Sequence, residues 1–356
     1  MNTLISYEET VDLICNGGHL RTVLVEGHMG TGKSQMLRAC AQQLPNHRPV
    51  YFDCTTKDLG DLMIPDLGHA DGAVRMIPNE ELSIHDQSTP TVIMFDELGK
   101  ANPAVFLGVL RLILEREMGA YKLHPETVVF ATTNLGEEGV GDLLPAHARN
   151  RLTVVRLRKP DVQEWLMWGV NNNINASVLA WVKDNPQLFD SFEDVDNPDD
   201  NPDIYHPRSS RSAFVTPRSL ETASVWADLK GVVSDNAILA ALAGAIGEHA
   251  ARNLMAFVNL AGRMPTLDEI KTHPETCLVP DNASIVAMTV MRSLVTIEAS
   301  WATQWTTYMQ RLVPEAQALF VNSVRDKNYA RRGEVMTNGS FTKYIIDNAY
   351  MFGADV

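Results

Sequence analysis

The fold of this chain is decided by the stretch Gly27-His28-Met29-Gly30-Thr31-Gly32-Lys33-Ser34. An apolar run, Val23-Leu24-Val25, precedes it, and the residues from 35 to 43 that follow have a helical pattern. A strand, a glycine-rich loop and a helix in this order are what a G-x-x-x-x-G-K-[ST] phosphate loop requires. The glycines let the backbone curl so that successive N–H groups face phosphate oxygens, and the helix N-terminus adds its dipole. The pattern predicts a nucleotide-binding site, with Lys33 on the β- and γ-phosphates and the Ser34 hydroxyl on Mg²⁺.

A second motif lies in Thr91-Val92-Ile93-Met94-Phe95-Asp96-Glu97. Apolar residues that end in an Asp-Glu pair are typical of a buried parallel strand, which carries its acids to the carboxyl edge of the sheet. At that edge, beside the phosphates, we expect Asp96 to hold the hydration shell of Mg²⁺. We expect Glu97 to orient and polarise the attacking water. The alternative is a pair of solvated acids at the end of a strand.

Strands and helices alternate over the first 158 residues, which predicts a parallel sheet covered by helices on both faces. Besides the two motif strands, the expected strands are 49–54, 127–134 and 152–157. The strand at 127–134 ends in a polar amide, Asn134. Two hairpins are expected between these elements, one near 61–78 with an Asp71-Gly72 turn and one near 118–125.

Two helices of this region have clear sequence signals. Ser6 and Glu9 form a capping-box pattern, which predicts a helix that begins at Tyr7. A second helix is expected over 103–117, with a stripe at helical spacing that predicts core positions: Leu107, Leu110, Leu114 and Met118.

The chain becomes helical from residue 160 onward. Helices are expected over 160–170, 176–185, 217–230, 236–258 and much of 284–324. The last of these carries a stripe that predicts core packing: Leu294, Ile297, Trp301, Trp305, Tyr308 and Leu312. Between the helices lies an acidic loop, 187–212. Its part 190–203 holds seven carboxylates and no Lys or Arg, which predicts a solvated, mobile segment.

Composition and charge exclude several classes. At 356 residues, 45% apolar and 21% charged, the chain is typical of a soluble globular protein with two domains, or one domain and an appendage. No apolar run reaches the roughly 20 residues of a membrane span, and no signal peptide is expected. The net charge, 30 − 44 = −14, argues against non-specific nucleic-acid binding. Scattered cysteines at 15, 40, 54 and 277 predict reduced, buried thiols in a cytoplasmic protein.

The chain has both nucleotide motifs, a strand that ends in Asn134, and a pair of arginines at 149 and 151. With these features it resembles an AAA+ ATPase. Within that superfamily it is similar to the MoxR type, whose members carry one hairpin after the second strand and another before the sensor strand. The resemblance covers roughly residues 5–260. The matching segments are Gly27–Ser34, 61–78, Phe95-Asp96-Glu97-Leu98-Gly99-Lys100-Ala101, 118–124, Ala131-Thr132-Thr133-Asn134, 144–152 and 214–220. Phage-encoded members also occur, and the sequence leaves that origin open.

The resemblance implies roles for four further residues. Asn134 is the first sensor, which positions water against the γ-phosphate. Arg151 is the finger that reaches the nucleotide of the neighbouring subunit, with Arg149 as a second candidate. The family often has phenylalanine after the finger where this chain has Leu152, which leaves the choice between the two arginines open. Arg218 is the second sensor, which contacts the phosphates of its own subunit.

The residues themselves support the placement of Arg218. Thr216 can cap a helix whose first turn contains Pro217 and Arg218, which gives the charge a rigid base. Surface ion pairs remain the alternative for Arg149, Arg151 and Arg218.

The sequence therefore predicts an α/β fold in three parts. A P-loop AAA+ domain with a parallel sheet flanked by helices spans 1–158, an all-α lid spans 159–262, and a helical C-terminal extension spans 263–356. The resemblance implies an ATP-hydrolysing, chaperone-like motor that works with Mg²⁺ as a homo-oligomer, a hexameric ring that remodels a protein or complex. No D-x-S-x-S site of a von Willebrand factor A domain is present in the sequence, so such a partner, or another protein, would be a separate chain.

Two other functions remain open. A nucleic-acid motor or loader would need basic residues along a pore, and the hairpins offer only Arg75, Lys122 and His124. A nucleotide switch with negligible turnover would need neither Glu97 nor a finger arginine.

Overall fold

The computed structural model describes residues 3–66, 74–138 and 145–352, and the chain forms two compact units, Met1–Pro160 and Asp161–Val356. The first unit is an α/β domain and the second is helical, in agreement with the predicted fold class. The further division of the helical region at 262 stays a prediction. One cluster of buried side chains in the second unit includes residues from both sides of that position, such as Trp181 and Trp305.

The first unit is built on a parallel six-stranded sheet. The strands described in this unit are β1 (Leu4–Ile5), β2 (Val23–Gly27), β3 (Arg48–Asp53), β4 (Met63–Asp66), β5 (Arg75–Pro78), β6 (Thr91–Asp96), β7 (Glu117–Met118), β8 (Tyr121–Lys122), β9 (Val128–Asn134) and β10 (Thr153–Leu157). The order of the six strands in the sheet is β1-β10-β2-β9-β6-β3. Its described helices are α1 (Tyr7–Gly17), α2 (Met36–Gln43), α3 (Pro103–Glu115) and α4 (Ala146–Arg149).

The apolar motif strands are buried because both faces of the sheet are covered. Successive side chains of a strand point to opposite faces. Accordingly, Leu24 belongs to one cluster of buried side chains, while Val23 and Val25 belong to another. Likewise, Phe95 belongs to the same cluster as Leu24, and its neighbour Met94 belongs to the other cluster. A strand buried on both faces reads as a continuous apolar run, which is why these strands were visible in the sequence.

The strand register brings the candidate site residues to one edge. Gly27 at the end of β2 is paired with Asn134 at the end of β9, and Asp53 of β3 is paired with Asp96 of β6. All four residues lie at the carboxyl ends of parallel strands, where loops of such sheets form ligand sites.

The two predicted hairpins correspond to antiparallel strand pairs. β4 pairs with β5, so the arms of the first hairpin are present, while the Asp71-Gly72 turn lies outside the described residues. β7 pairs with β8 through a turn in which Gly119 has φ 61°, a conformation that favours glycine.

Several local expectations need correction. β1 was not expected, and it pairs with β10 at the edge of the sheet. Leu107 of α3 is 62% exposed, because the buried face of this helix is formed mainly by Val105, Val109, Leu112 and Ile113. The helix expected over 236–258 is divided at Gly247, whose φ of 88° does not fit an α-helix.

The second unit consists of helices in the part that is described. They are α5 (Val162–Asn171), α6 (Ala176–Asp184), α7 (Pro217–Ala227), α8 (Asp235–Ile246), α9 (Glu248–Leu260), α10 (Leu267–Thr272), α11 (Ala283–Thr296), α12 (Ala302–Met309), α13 (Pro314–Arg325), α14 (Arg332–Met336) and α15 (Gly339–Asp347). The predicted stripe from Leu294 to Leu312 is buried, although a break between α11 and α12 interrupts it. Among the described helices, none is both long enough and apolar enough to span a bilayer.

The acidic segment is bound by an arginine that follows it. The guanidinium of Arg211 donates hydrogen bonds to the backbone oxygens of Asn201 (3.0 Å) and Ile204 (2.6 Å), and a further one to that of Pro198. Two residues of the segment itself, Phe192 and Asn201, are buried. Most of its carboxylates are exposed, in agreement with the solvated segment that the composition predicted, and its mobility stays a prediction.

Candidate active site

The phosphate loop has the backbone shape that its glycines permit. Gly30 and Gly32 have φ values of 71° and 89°, in the left-handed region where a side chain is strained. Within the described part of the chain, the N–H groups of Gly30 and Gly32 have no hydrogen-bond acceptor. The loop continues through a short 3₁₀ turn, Lys33–Gln35, into α2. These N–H groups are suited to bind an anion at the start of the helix.

Lys33 is buried at the centre of the loop. Its ammonium donates hydrogen bonds to the backbone oxygens of Gly27 (2.7 Å) and His28 (2.8 Å) and to Asn134 Oδ1 (2.8 Å). Three oxygen acceptors match the three donors of an ammonium group. The lysine predicted to contact the phosphates is therefore held in place by the loop itself and by the end of β9.

Asp96 is a buried carboxylate to which three hydroxyl groups donate. Ser34 Oγ and Tyr51 Oη each lie 2.9 Å from Asp96 Oδ2, and Thr132 Oγ1 donates to Oδ1. The pairing of Ser34 with Asp96 joins the two predicted magnesium ligands. A hydroxyl and a carboxylate are hard oxygen donors, which Mg²⁺ prefers, so the residues present fit this ion.

Glu97 has a special backbone conformation directly after β6. Its φ is 53°, and its N–H donates to Thr132 Oγ1 at 3.3 Å. The two carboxylate oxygens are held separately: Asn134 Nδ2 donates to Oε1 at 2.8 Å, and Lys100 Nζ lies 3.0 Å from Oε2. The side-chain amide of Asn134 thus links Glu97 to Lys33, because its oxygen accepts from the lysine and its nitrogen donates to the glutamate.

Glu138 is a site residue that the sequence analysis missed. It ends a short turn, Gly136–Glu138, that follows β9, and its side chain is 2% exposed. Its Oε2 accepts from the Met29 N–H at 2.6 Å, and its Oε1 lies 2.5 Å from His28 Nδ1. A carboxylate is therefore bound to the first half of the phosphate loop.

The other residues missed by the sequence analysis are Tyr51, Lys100 and Thr132. Their common signal is their position near the carboxyl ends of neighbouring strands, either within the last three residues of a strand or a few residues beyond it. That signal becomes useful only when the strand order is known.

The two finger candidates have different surroundings. Arg149 pairs with Glu26 of its own unit through both terminal nitrogens, of which Nη2 lies 3.1 Å from Oε2. Arg151 is exposed, and its side chain has no hydrogen bond or ion pair with any described residue. Arg218 lies in the first turn of α7 in the second unit, where Thr216 caps the helix as predicted.

Cys54 lies next to this edge of the sheet and is unsuited to chemistry. Burial, together with the negative charges of Asp53 and Asp96, raises the pKa of its thiol to about 12. The thiolate is the nucleophilic and metal-binding form, so at neutral pH Cys54 remains an inert thiol. All four cysteines are free and buried, as predicted.

Comparison with known proteins adds family information to this geometry. Residues 23–159 match the AAA family, the ATPase family associated with various cellular activities. Protein MoxR of Paracoccus denitrificans is 32% identical over 151 residues, which cover 40% of this chain and 41% of that protein. Protein MoxR of Methylorubrum extorquens is 31% identical over 132 residues, which cover 36% of this chain and 38% of that protein.

A solved structure, a RuvB mutant from Thermotoga maritima, aligns with 71% of this chain and 70% of that chain. Its sequence identity is 16% and the TM-score is 0.36. The chain spans about two fifths of the length of the curated relatives it matches. The AAA match includes both nucleotide motifs, Asn134, Glu138 and both finger candidates, whereas Arg218 lies outside it.

Proposed function

We propose that this chain, which matches the AAA family over residues 23–159 and is similar to two MoxR proteins, binds ATP together with Mg²⁺ and hydrolyses ATP. The observation that supports the proposal most is the pair of hydrogen bonds of Asn134, which link Lys33 to Glu97. A phosphate-binding lysine and a candidate base are thereby held at one edge of the sheet, next to the Ser34–Asp96 pair.

The loop binds the triphosphate through backbone N–H groups and Lys33, whose charge offsets that of the β- and γ-phosphates. Ser34 and Asp96 hold Mg²⁺, which, when bound, neutralises negative charge on the phosphate oxygens. Tyr51 and Thr132 fix the orientation of the Asp96 carboxylate through their hydroxyl groups.

Glu97 acts on the attacking water in this mechanism. Its carboxylate is hydrogen-bonded at the edge of the sheet, where a carboxylate can accept a proton from the water or orient it against the γ-phosphate. Asn134 fixes Oε1 of Glu97 and contributes the polar amide expected of a first sensor. Arg218 serves as the second sensor in the same proposal.

Arg151 is our choice for the finger that acts on a neighbouring subunit. Its exposed guanidinium is available to another chain, whereas that of Arg149 is bound to Glu26. An arginine supplied by the next subunit stabilises the charge that develops during phosphoryl transfer. The proposal therefore includes a ring of identical subunits, as in the hexamer that the resemblance implies.

The biological role follows as the finer part of the proposal. We assign the ring to remodelling of a protein or protein complex in the cytoplasm, together with a separate partner chain such as a von Willebrand factor A-domain protein. The nucleic-acid alternative has little support, because it depends on Arg75, Lys122 and His124 against a net charge of −14.

Two variants test ATP hydrolysis. Lys33→Ala should abolish nucleotide binding, because it removes the charge that offsets the phosphates. Glu97→Gln should bind ATP and lose turnover, because the amide is polar but cannot act as a base. Calorimetry measures the nucleotide affinity of each variant. Phosphate release, with and without single-stranded DNA, measures its turnover.

The outcomes separate the three functions. Equal nucleotide affinity of the wild type and Lys33→Ala contradicts the role of the phosphate loop, and normal turnover of Glu97→Gln removes Glu97 from catalysis. Binding without turnover in the wild type favours the switch. Strong stimulation by DNA, with salt-sensitive affinity, favours the nucleic-acid motor.

A further inference from the structure

Glu138 has a place in the site that the proposed roles leave unexplained. The carboxylate is almost fully buried, and a buried charge is unfavourable unless it has hydrogen-bond partners. Its two partners, His28 and Met29, both belong to the phosphate loop. This buried carboxylate is thus held by the segment that is expected to bind a polyanion.

The bonds of Glu138 fall on one half of the loop. The Met29 N–H is taken by the carboxylate, whereas the N–H groups of Gly30 and Gly32 have no acceptor among the described residues. The carboxylate therefore holds the beginning of the loop and leaves the glycine N–H groups to a phosphate. An N–H donor bound by an ionised acceptor forms one of the stronger hydrogen bonds in proteins.

The turn that carries Glu138 also follows the sensor strand. Asn134 ends β9, and Glu138 comes four residues later. Since β2 and β9 are adjacent and parallel, both loops leave the sheet at the same edge. Two links join them: Asn134 to Lys33, and Glu138 to His28 and Met29.

We propose that Glu138 is a positioning residue that holds the first half of the phosphate loop in the shape that binds nucleotide. The proposal rests on the proposed binding of ATP. It assigns Glu138 no contact with the reacting atoms. Its effect should therefore be on nucleotide affinity rather than on the rate of the chemical step.

Three variants test this role, with Mg²⁺-ADP as the probe so that no hydrolysis occurs. Glu138→Ala removes both contacts. Glu138→Gln keeps an oxygen for the Met29 N–H and an NH₂ group that can donate to neutral His28 at Nδ1. Glu115→Ala is the matched control, because Glu115 forms an exposed ion pair with Arg111 on α3.

We expect Glu138→Ala to raise the Kd for Mg²⁺-ADP about tenfold or more, and Glu138→Gln to raise it less than about threefold. The control should match the wild type. At saturating ATP, kcat of Glu138→Ala should stay within about threefold of the wild type, so the loss appears in KM. A residue that only supported the fold would not separate KM from kcat or be rescued by glutamine.

Several results overturn the proposal. One is a wild-type Kd in Glu138→Ala, and another is an equal loss in the alanine and glutamine variants. A fall in kcat without a change in Kd also contradicts it. If Glu138→Ala does not fold, Glu138→Asp replaces it, because the shorter side chain keeps the charge but cannot reach both partners; an unchanged Kd there overturns the role. A wild type that binds no ADP refutes the proposed function instead.

Discussion

Glu97 combines a candidate catalytic side chain with a left-handed backbone, φ 53° and ψ 41°. Such conformations are unfavourable for residues with a Cβ and persist where surrounding contacts hold them. Here the contacts are the Thr132 hydroxyl on the N–H group and the Asn134 and Lys100 side chains on the carboxylate. The backbone after β6 therefore stores strain at the residue that is proposed to act on the attacking water.

Comparison of glycine with alanine at position 97 measures that strain. Both variants lose the carboxylate and its contacts, and they differ only in the Cβ. We expect the free energy of unfolding of Glu97→Gly to be about 1 kcal/mol higher than that of Glu97→Ala, since glycine adopts this φ without strain. Urea unfolding gives the difference. Ala104→Gly, at an exposed position in the first turn of α3, is the control and should destabilise by less than about 1 kcal/mol. Equal stability of the two variants at 97 contradicts the stored strain.

The acidic segment is an element whose backbone is bound by side chains. Arg211 binds backbone oxygens from positions that are 7 to 13 residues away. A guanidinium has a planar fork of donors that can serve several acceptors at once. Arg208, His206 and Asn201 contact further backbone oxygens in and beside the segment.

Replacement of Arg211 should release this segment. We expect Arg211→Ala to increase hydrogen exchange of the amides in 195–206 about tenfold or more, because several hydrogen bonds to a charged donor are lost. Arg211→Lys should restore only part of the protection of these amides from exchange, because an ammonium lacks the planar set of donors of a guanidinium. Arg252→Ala, which breaks an exposed pair with Glu248, is the control. Exchange as slow in Arg211→Ala as in the wild type refutes this assignment.

Substitution of Arg151 tests the assembly of subunits and the mechanism of hydrolysis together. Finger arginines contribute about 10³–10⁵ in rate in related phosphoryl transfers. Arg151→Ala should therefore bind ATP nearly normally and hydrolyse it far more slowly. Mixed with Lys33→Ala, it should regain activity, because some junctions then combine an intact nucleotide site with an intact Arg151. Phosphate release of each variant and of the mixture is the measurement.

The same mixture distinguishes the remaining assignments, provided that subunit exchange is demonstrated by labelled chains. Arg149→Ala is the control, since Arg149 is bound to Glu26 in its own chain. Near-normal turnover of Arg151→Ala indicates a surface residue. Absence of rescue indicates a finger that acts within its own subunit. If Arg149→Ala gives the rescue and Arg151→Ala does not, the two roles are exchanged.

The amino-acid sequence was sufficient to predict the phosphate loop, the buried strands and two helix starts, because a short run of residues encodes each of them. The glycine pattern of 27–34 predicted the loop, continuous apolar runs predicted the buried strands, and Ser6 and Thr216 predicted two helix starts that the structure contains. Capping and turn conformation depend on neighbours within a few residues, and a buried strand has an apolar run in its own sequence, so all three can be recognised without knowledge of the fold.

Contacts between side chains that are far apart in the sequence depend on the tertiary structure. Lys33 and Asn134 are 101 residues apart in sequence, and Met29 and Glu138 are 109 apart. Their contacts follow from the order of the strands, which places β2 beside β9, and from the length of the turn after Asn134. No local pattern records that order, because strand pairing is chosen by the packing of the whole sheet. For this reason the partners of Glu138 could be assigned only from the folded structure.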